Sequence, residues 1–184
     1  MKTISGYILT KVFGWKIGGE FHNFPKSVII FAPHTSYYDA LYGKLYLNEL
    51  CIKHIFLAKK ELFFFPMNII MKYYGAIPVR GVIGRNAIYQ ISKMLNEAQS
   101  LHIILSPEGG FAKVTKWNKG FYYIACKAKV PIIVSFLDYQ KKEIGIKGVI
   151  DNLDNINTVM HQINTMYKDV TAKHPENFSL ELTN

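Results

Sequence analysis

The sequence is poor in cysteine, in charge and in long apolar runs, and each shortage argues against a class of protein. Its two cysteines, Cys51 and Cys126, lie far apart, which argues against a disulfide scaffold or a zinc ribbon and favours a reducing compartment. The most apolar stretch, residues 62–71, is interrupted by a proline and an asparagine, and a membrane-spanning helix needs roughly 18–20 residues. The N-terminus has no apolar segment typical of a secretory signal. We therefore expect a cytoplasmic protein without a transmembrane helix.

Acidic residues are also scarce. The chain has 13 Asp and Glu against 22 Lys and Arg, so its formal net charge is +9. This excess favours an anionic partner, such as nucleic acid, an anionic lipid surface, a phosphorylated substrate or an acidic carrier protein. The lysines are dispersed, as on many solvated surfaces, and no nucleic-acid-binding pattern is recognisable, so we do not expect nucleic acid. The six histidines show no zinc-ligand spacing, so we expect no metal and no bound cofactor.

The order of apolar segments predicts an α/β fold. The length suits one domain over residues 1–184. Short β-branched runs predict buried strands at residues 28–32, 55–58, 76–79, 103–105 and 132–137. Segments of helical period predict helices at residues 37–50, 61–73, 86–98, 117–128 and 155–171. This alternation predicts a mostly parallel central sheet that is flanked by helices.

Two segments are candidates for contact with a membrane. Residues 1–20 include an amphipathic helix at residues 4–13, with lysines around an apolar stripe. Residues 63–67, FFFPM, follow two lysines and have the composition of an aromatic wedge. Each could lie on an anionic lipid surface or pack into the core, and the sequence leaves both interpretations open.

The segment PHTSYYD at residues 33–39 is a candidate catalytic site. Pro33 favours the end of a strand, and Ser36 is a good N-cap for the helix that follows. Asp39 would then lie in the first helical turn, where its carboxylate can reach back to His34. Such a carboxylate fixes the imidazole tautomer and leaves the other ring nitrogen free to take a proton from a substrate hydroxyl. No Gly-x-Ser-x-Gly elbow is present, so we expect direct attack by a substrate alcohol. A histidine that only caps a loop is the alternative.

Two further loops follow predicted strands and are candidates for substrate binding. Arg80 and Arg85 are the only arginines, and both lie in a glycine-containing loop before a helix, where a phosphate group could bind. Glu108 and Gly109 follow the next strand, and Lys113 lies four residues further on. Because ligands bind beyond the carboxyl ends of parallel strands, these loops and His34 could face one crevice.

Four blocks of the sequence resemble the phospholipid/glycerol acyltransferase family, which includes lysophosphatidate acyltransferases. The His-x-x-x-x-Asp segment at residues 34–39 resembles the first block. GAIPV at 75–79, PEG at 107–109 and VPII at 130–133 resemble the other three, in the same order. The match looks closest to short bacterial members. The resemblance implies a glycerol-3-phosphate acyltransferase-like fold, with His34 as general base and Asp39 as its partner. It also implies acyl transfer from acyl-CoA or an acyl-carrier protein to the hydroxyl of a lysolipid, in phospholipid biosynthesis at the cytoplasmic face of a membrane.

The second and third blocks depart from the family pattern. The family's second block usually ends in an acidic residue and then arginine, whereas Arg80 here directly follows Val79. Its third block usually reads Glu-Gly-Thr-Arg, whereas Gly110 and Phe111 occupy the last two positions here. These departures leave the acceptor's head group open. The altered third block also favours an alternative, a non-catalytic module of the same fold that binds lipid or acyl-carrier protein. A thioesterase, in which water replaces the substrate alcohol, is a further alternative.

Overall fold

The computed structural model describes residues 3–22, 24–79 and 83–181, and they form a sheet of seven strands between layers of helices. The strands are β1 (Lys16–Gly18), β2 (Lys26–Ala32), β3 (His54–Lys59), β4 (Ala76–Val79), β5 (Leu101–Leu105), β6 (Ile132–Asp138) and β7 (Glu143–Ile150). The α-helices are α1 (Ile4–Tyr7), α2 (Tyr37–Glu49), α3 (Met67–Tyr73), α4 (Arg85–Glu97), α5 (Gly120–Ala128) and α6 (Ile156–Tyr167). The strand order is β1-β7-β6-β2-β5-β3-β4, and all pairs are parallel except β6 with β7. The predicted α/β class with a mostly parallel sheet is therefore confirmed.

The central strands are apolar throughout because helices cover both faces of the sheet. Strand β2 lies between β5 and β6, and nearly all of its residues are buried. Successive strand side chains point to opposite faces. Accordingly Val28 and Ile30 pack with α4, α5 and α6, whereas Ile29 and Phe31 pack with α2 and the N-terminal segment. This two-sided burial holds the carboxyl end of β2, where the candidate catalytic segment begins, in a fixed position.

Two strands and three helices differ from the prediction, and one of the helices, α6, ends at Tyr167 rather than at residue 171. Strands β1 and β7 were not predicted, because β1 has three residues and β7 contains two glycines, which are poor strand formers. The helix predicted for residues 61–73 is divided into a 3₁₀ turn, Lys60–Leu62, and α3, because Pro66 has no backbone N–H to donate. Helix α5 begins at Gly120, three residues later than predicted, and the preceding residues form a loop.

The N-terminal segment is helical, and only part of its apolar stripe faces the core. Helix α1 continues as a π-helical turn, Ile8–Val12. Leu9 is fully buried, whereas the side chains of Ile4 and Val12 are exposed to solvent. None of the helices in the described part of the chain has the length and apolar character needed to cross a bilayer.

Candidate active site

The candidate residues lie at one edge of the sheet, where the neighbouring parallel strands β6, β2, β5 and β3 have their carboxyl ends. His34 follows β2, and Glu108 follows β5, which pairs directly with β2. The backbone N–H of His34 donates a hydrogen bond to Glu108 Oε2, at 2.7 Å. The structure therefore brings His34 and Glu108 together, as the topology argument predicts. Arg80, the third candidate for this crevice, lies outside the described residues.

The start of helix α2 positions Asp39 beside His34. Ser36 is the N-cap, and its side chain accepts a hydrogen bond from Tyr38 N. Asp39 completes a capping box, because its Oδ2 accepts hydrogen bonds from the backbone N–H groups of Thr35 (2.7 Å) and Ser36 (2.8 Å). The same Oδ2 lies 3.5 Å from His34 Nδ1. The expected geometry, in which the carboxylate reaches back to His34 from the first helical turn, is confirmed.

Tyr139 is a member of the site that the sequence analysis missed. Its hydroxyl donates a short hydrogen bond, 2.5 Å, to the other carboxylate oxygen, Asp39 Oδ1. Its ring packs edge-on against Trp15 at 5.1 Å. Burial, and then the contact with Asp39, raise the pKa of Tyr139 well above its usual value, so its hydroxyl remains a donor. One signal was present in the sequence, since Tyr139 directly follows β6, which pairs with β2 at this same edge.

Glu108 is a buried carboxyl group that supports the loop carrying His34. Its Oε2 also accepts a hydrogen bond from Ser106 Oγ, at 3.1 Å. Burial raises the pKa of Glu108 to about 8, although its hydrogen bonds with His34 N and Ser106 Oγ act in the opposite direction. Glu108 is therefore mainly protonated at neutral pH. The next residue, Gly109, has a φ of +68°, which a residue with a side chain adopts only with strain, and so glycine suits this turn.

An aromatic pair borders the partly exposed imidazole of His34. The ring of Phe111 lies 4.8 Å from the imidazole, edge to face, and the ring of Tyr37 lies 4.5 Å from that of Phe111. About a quarter of the His34 side chain, 26%, is accessible to solvent. A substrate that approaches the imidazole would therefore pass an apolar wall.

A cleft of about 1440 Å³ extends from Glu108 and Gly109 between helices α4 and α5. Its basic lining residues are Lys59, Arg85, Lys116, Lys119 and Lys127, and its apolar ones include Ile83, Ile88, Trp117 and Tyr123. Lys119 forms an ion pair with Glu181 at 3.3 Å. A cleft with apolar and basic parts suits an amphiphilic anion.

The other predicted substrate-binding residues are placed differently by the fold. Arg85 is the first residue of α4 and lines the cleft, as Glu108 and Gly109 do. Lys113 is exposed and is not one of the cleft-lining residues. Within residues 3–22, 24–79 and 83–181, no group of three His, Cys, Asp or Glu side chains is arranged to hold a metal ion.

Comparison with known proteins gave one result. A family model described as acyltransferase matches residues 19–135, which is more than half of the chain. The matched region includes His34, Asp39, Glu108 and the basic residues Lys59 and Arg85, whereas Tyr139 lies beyond its end. Neither a search of curated proteins nor a search of solved structures found a significant match.

Proposed function

Because this chain belongs to the phospholipid/glycerol acyltransferase family, we propose that it transfers a fatty acyl chain from acyl-CoA or an acyl-carrier protein to the hydroxyl of a lysophospholipid-like acceptor. The observation that carries the proposal is the pairing of His34 with the buried carboxylate of Asp39, 3.5 Å from Nδ1. The reaction would serve phospholipid biosynthesis at an anionic membrane surface.

His34 is the general base in this mechanism. Asp39 on the Nδ1 side favours the tautomer whose Nε2 lone pair is free to accept a proton from the acceptor hydroxyl. The acceptor oxygen attacks the thioester carbonyl and forms a tetrahedral intermediate. Collapse of this intermediate breaks the C–S bond, and the departing thiolate takes the proton from the imidazolium. The products are the ester and the free thiol, and no protein nucleophile is acylated.

Four groups hold this pair in its reactive arrangement. Tyr139 and two backbone N–H groups donate to the carboxylate of Asp39, and Glu108 accepts from the backbone of His34. A carboxylate supplied with donors on both oxygens does not rotate freely, so it keeps Oδ2 directed at the imidazole. Glu108 acts on the backbone alone, and in its protonated form it adds no charge that would repel an anionic substrate.

The cleft supports an amphiphilic, anionic acceptor. Arg85 is located at the N-terminus of α4, where backbone N–H groups and a guanidinium group together favour phosphate. Glu108 and Gly109 form the end of the cleft that is joined to His34. The apolar lining of the cleft suits the lipid part of the same molecule.

Two exposed apolar surfaces support contact with a membrane. The first lies around α3, which has no fully buried residue, and its exposed side chains include Phe64, Phe65, Ile69 and Tyr73. The second lies on the N-terminal helix, where Ile4, Tyr7 and Val12 are exposed. Exposed apolar residues near lysines favour docking on anionic lipid.

Release of thiol from a long-chain acyl-CoA by the purified protein tests the proposed reaction. A panel of lysolipids is offered, with His34→Ala in parallel, and an acyl-carrier protein replaces the donor in a second series. We expect release that depends on a lysolipid and falls by about 10²–10⁴-fold in the variant, because a general base contributes that much. Release without an acceptor would indicate a thioesterase. A folded protein that releases no thiol from either donor would favour a binding module.

A further inference from the structure

The indole ring of Trp15 lies between helix α2 and the tyrosine that donates to Asp39. Trp15 is buried, and its ring centroid is 4.7 Å from that of Tyr42 and 5.1 Å from that of Tyr139. Tyr42 comes three residues after Asp39 on α2, so the two side chains are neighbours on the helix surface. The indole therefore packs between the helix that carries Asp39 and the ring whose hydroxyl reaches this carboxylate.

The backbone on both sides of Trp15 fixes its position. Gly14 follows the π-helical turn with a φ of +71°, a left-handed conformation that commonly ends helices. The N–H of Trp15 then donates to Leu9 O at 3.1 Å, and the N–H of Lys16 donates to Lys142 O at 2.7 Å. The indole is thus held by the N-terminal helical segment before it and by the sheet after it.

The side chain of Tyr139 depends on its neighbours for its orientation. Its main chain is fixed by a hydrogen bond that its N–H donates to Thr171 O, at 2.9 Å. The side chain can still turn about two bonds, and the hydroxyl at the far end of the ring moves most when it does. Among the described residues, the aromatic neighbours of this ring are Trp15 and, at 6.3 Å, Tyr42. Trp15 is the closer of the two.

The contact between Trp15 and Tyr139 joins the two flanks of the family-matched region. The acyltransferase family model covers residues 19–135, so Trp15 precedes the matched region and Tyr139 follows it. The carboxylate of Asp39, which Tyr139 supports, lies within that region. The family assignment therefore gives no role to either residue, and the fold alone brings them together beside Asp39.

We infer that Trp15 is a positioning residue, which orients Tyr139 toward Asp39 and gives the N-terminal segment a part in catalysis. The inference rests on the proposed function, in which Asp39 directs the imidazole of His34. An edge-on aromatic contact restricts the ring of Tyr139, so its hydroxyl stays on Oδ1 and Oδ2 stays directed at His34.

Steady-state kinetics of acyl transfer test this role with two substitutions of Trp15. Trp15→Leu keeps an apolar side chain and removes the ring. We expect its kcat to fall roughly 3- to 10-fold with nearly unchanged KM values, because an aromatic pair contributes about this factor. Trp15→Phe, which keeps a ring, should recover most of the lost turnover. The matched control is Phe13→Leu, since Phe13 packs against Tyr42 at 5.3 Å and is not seen to contact Tyr139 among the described residues. It should behave as wild type.

A double-mutant cycle with Tyr139→Phe distinguishes positioning from general support of the fold. If Trp15 acts through the hydroxyl of Tyr139, Trp15→Leu should cause less than about 2-fold further loss of kcat in the Tyr139→Phe background. An equal loss in both backgrounds, or a wild-type kcat in Trp15→Leu, would overturn the inference. Urea unfolding checks that each variant is folded in the assay. Trp15→Met, whose longer side chain fills more of the space, replaces Trp15→Leu if that variant does not fold.

The nitrogen chemical shifts of the His34 imidazole, measured by NMR, separate this inference from the reaction. The signals are assigned by their loss in His34→Ala. If the wild-type protein transfers no acyl group, the proposed function fails, and these shifts then decide the positioning role. Trp15→Leu should change them in the same direction as Tyr139→Phe, and Phe13→Leu should leave them unchanged. Shifts that stay at their wild-type values in Trp15→Leu or in Tyr139→Phe contradict the inference.

Discussion

The hydroxyl of Tyr139 donates a 2.5 Å hydrogen bond to Asp39 Oδ1, and so it joins two residues that are 100 positions apart in the chain. The other oxygen of the same carboxylate is directed at His34. Strand β6 delivers Tyr139 and strand β2 delivers the loop of His34, and these two strands are paired side by side. The geometry of the candidate catalytic pair thus depends on a residue outside the segment that contains it.

Removal of this hydroxyl should reduce turnover more than substrate affinity. In Tyr139→Phe we expect kcat to fall roughly 10- to 100-fold with a nearly unchanged KM, because a hydrogen bond to a charged group is lost. Tyr42→Phe is the matched control, since Tyr42 packs against the same ring at 6.3 Å and is not seen to bond to Asp39 among the described residues. Equal kinetics in the two variants would exclude a positioning role for Tyr139.

Replacement of Glu108 by glutamine should remove a pH dependence of stability. The pKa of Glu108 is raised to about 8 in the folded protein from an ordinary value of 4.5. Between these values the unfolded chain releases a proton that the folded protein keeps, so wild-type stability falls as the pH rises from about 4.5 to 8. Between pH 5.5 and 7.5 the free energy of unfolding should fall by about 2–3 kcal/mol more in wild type than in Glu108→Gln, because each pH unit contributes about 1.4 kcal/mol. Urea unfolding at the two pH values measures this difference.

The control for Glu108 is Glu97→Gln, which changes an exposed carboxylate on α4. The free energy of unfolding of this variant should depend on pH in the same way as that of wild type. Parallel stability curves for Glu108→Gln and wild type would show that Glu108 ionises normally in the folded protein.

His102 should make the protein sensitive to acid. It is buried in β5, and its Nδ1 lies 2.8 Å from Ser27 Oγ. Burial, and then the nearby His54, lower the pKa of His102 from 6.5 to about 4. As the pH falls from about 6.5 to 4, the unfolded chain takes up a proton that the folded protein excludes, so stability is lost in this range. When the pH is lowered from 6.5 to 4.5, the free energy of unfolding should fall by about 2–3 kcal/mol more in wild type than in His102→Gln.

Urea unfolding at these two pH values checks the effect of His102, with the exposed His161→Gln as control. The pKa of His54 is also lowered by burial, so some acid sensitivity should persist in His102→Gln. A variant that loses as much stability in acid as wild type would refute the prediction.

Membrane docking should depend on the two exposed phenylalanines that precede α3. Phe64 and Phe65 are 56% and 80% exposed, and burial of such a side chain in lipid is worth about 1.5–3 kcal/mol. The double variant Phe64→Ser/Phe65→Ser should therefore float with anionic liposomes at least about 10-fold less than wild type. Tyr89→Ser, at a half-exposed tyrosine on α4, is the control. Equal recovery of wild type in the soluble fraction with and without anionic lipid would contradict docking.

The amino-acid sequence by itself determined the features that depend on neighbours along the chain. The apolar runs predicted the central strands correctly, because strands buried on both faces need apolar residues at every position. The capping box of Ser36 and Asp39, and with it the approach of Asp39 to His34, follows from a spacing of three to five residues that any helix start would reproduce. These relationships join near neighbours in the chain, so they could be predicted without knowledge of the strand order.

Only the tertiary structure decided the contacts that depend on strand order. The antiparallel direction of β7 was decided in this way, and the bond from Tyr139 to Asp39 and the contact of Trp15 with Tyr139 join segments far apart in the chain. Glu108 reaches the backbone of His34 for the same reason, since β5 lies beside β2 rather than elsewhere in the sheet. Strand order is a property of how the whole chain packs, because each pairing competes with all others for the same buried surface. The sequence could therefore predict the catalytic pair, and the fold had to supply the residues around it.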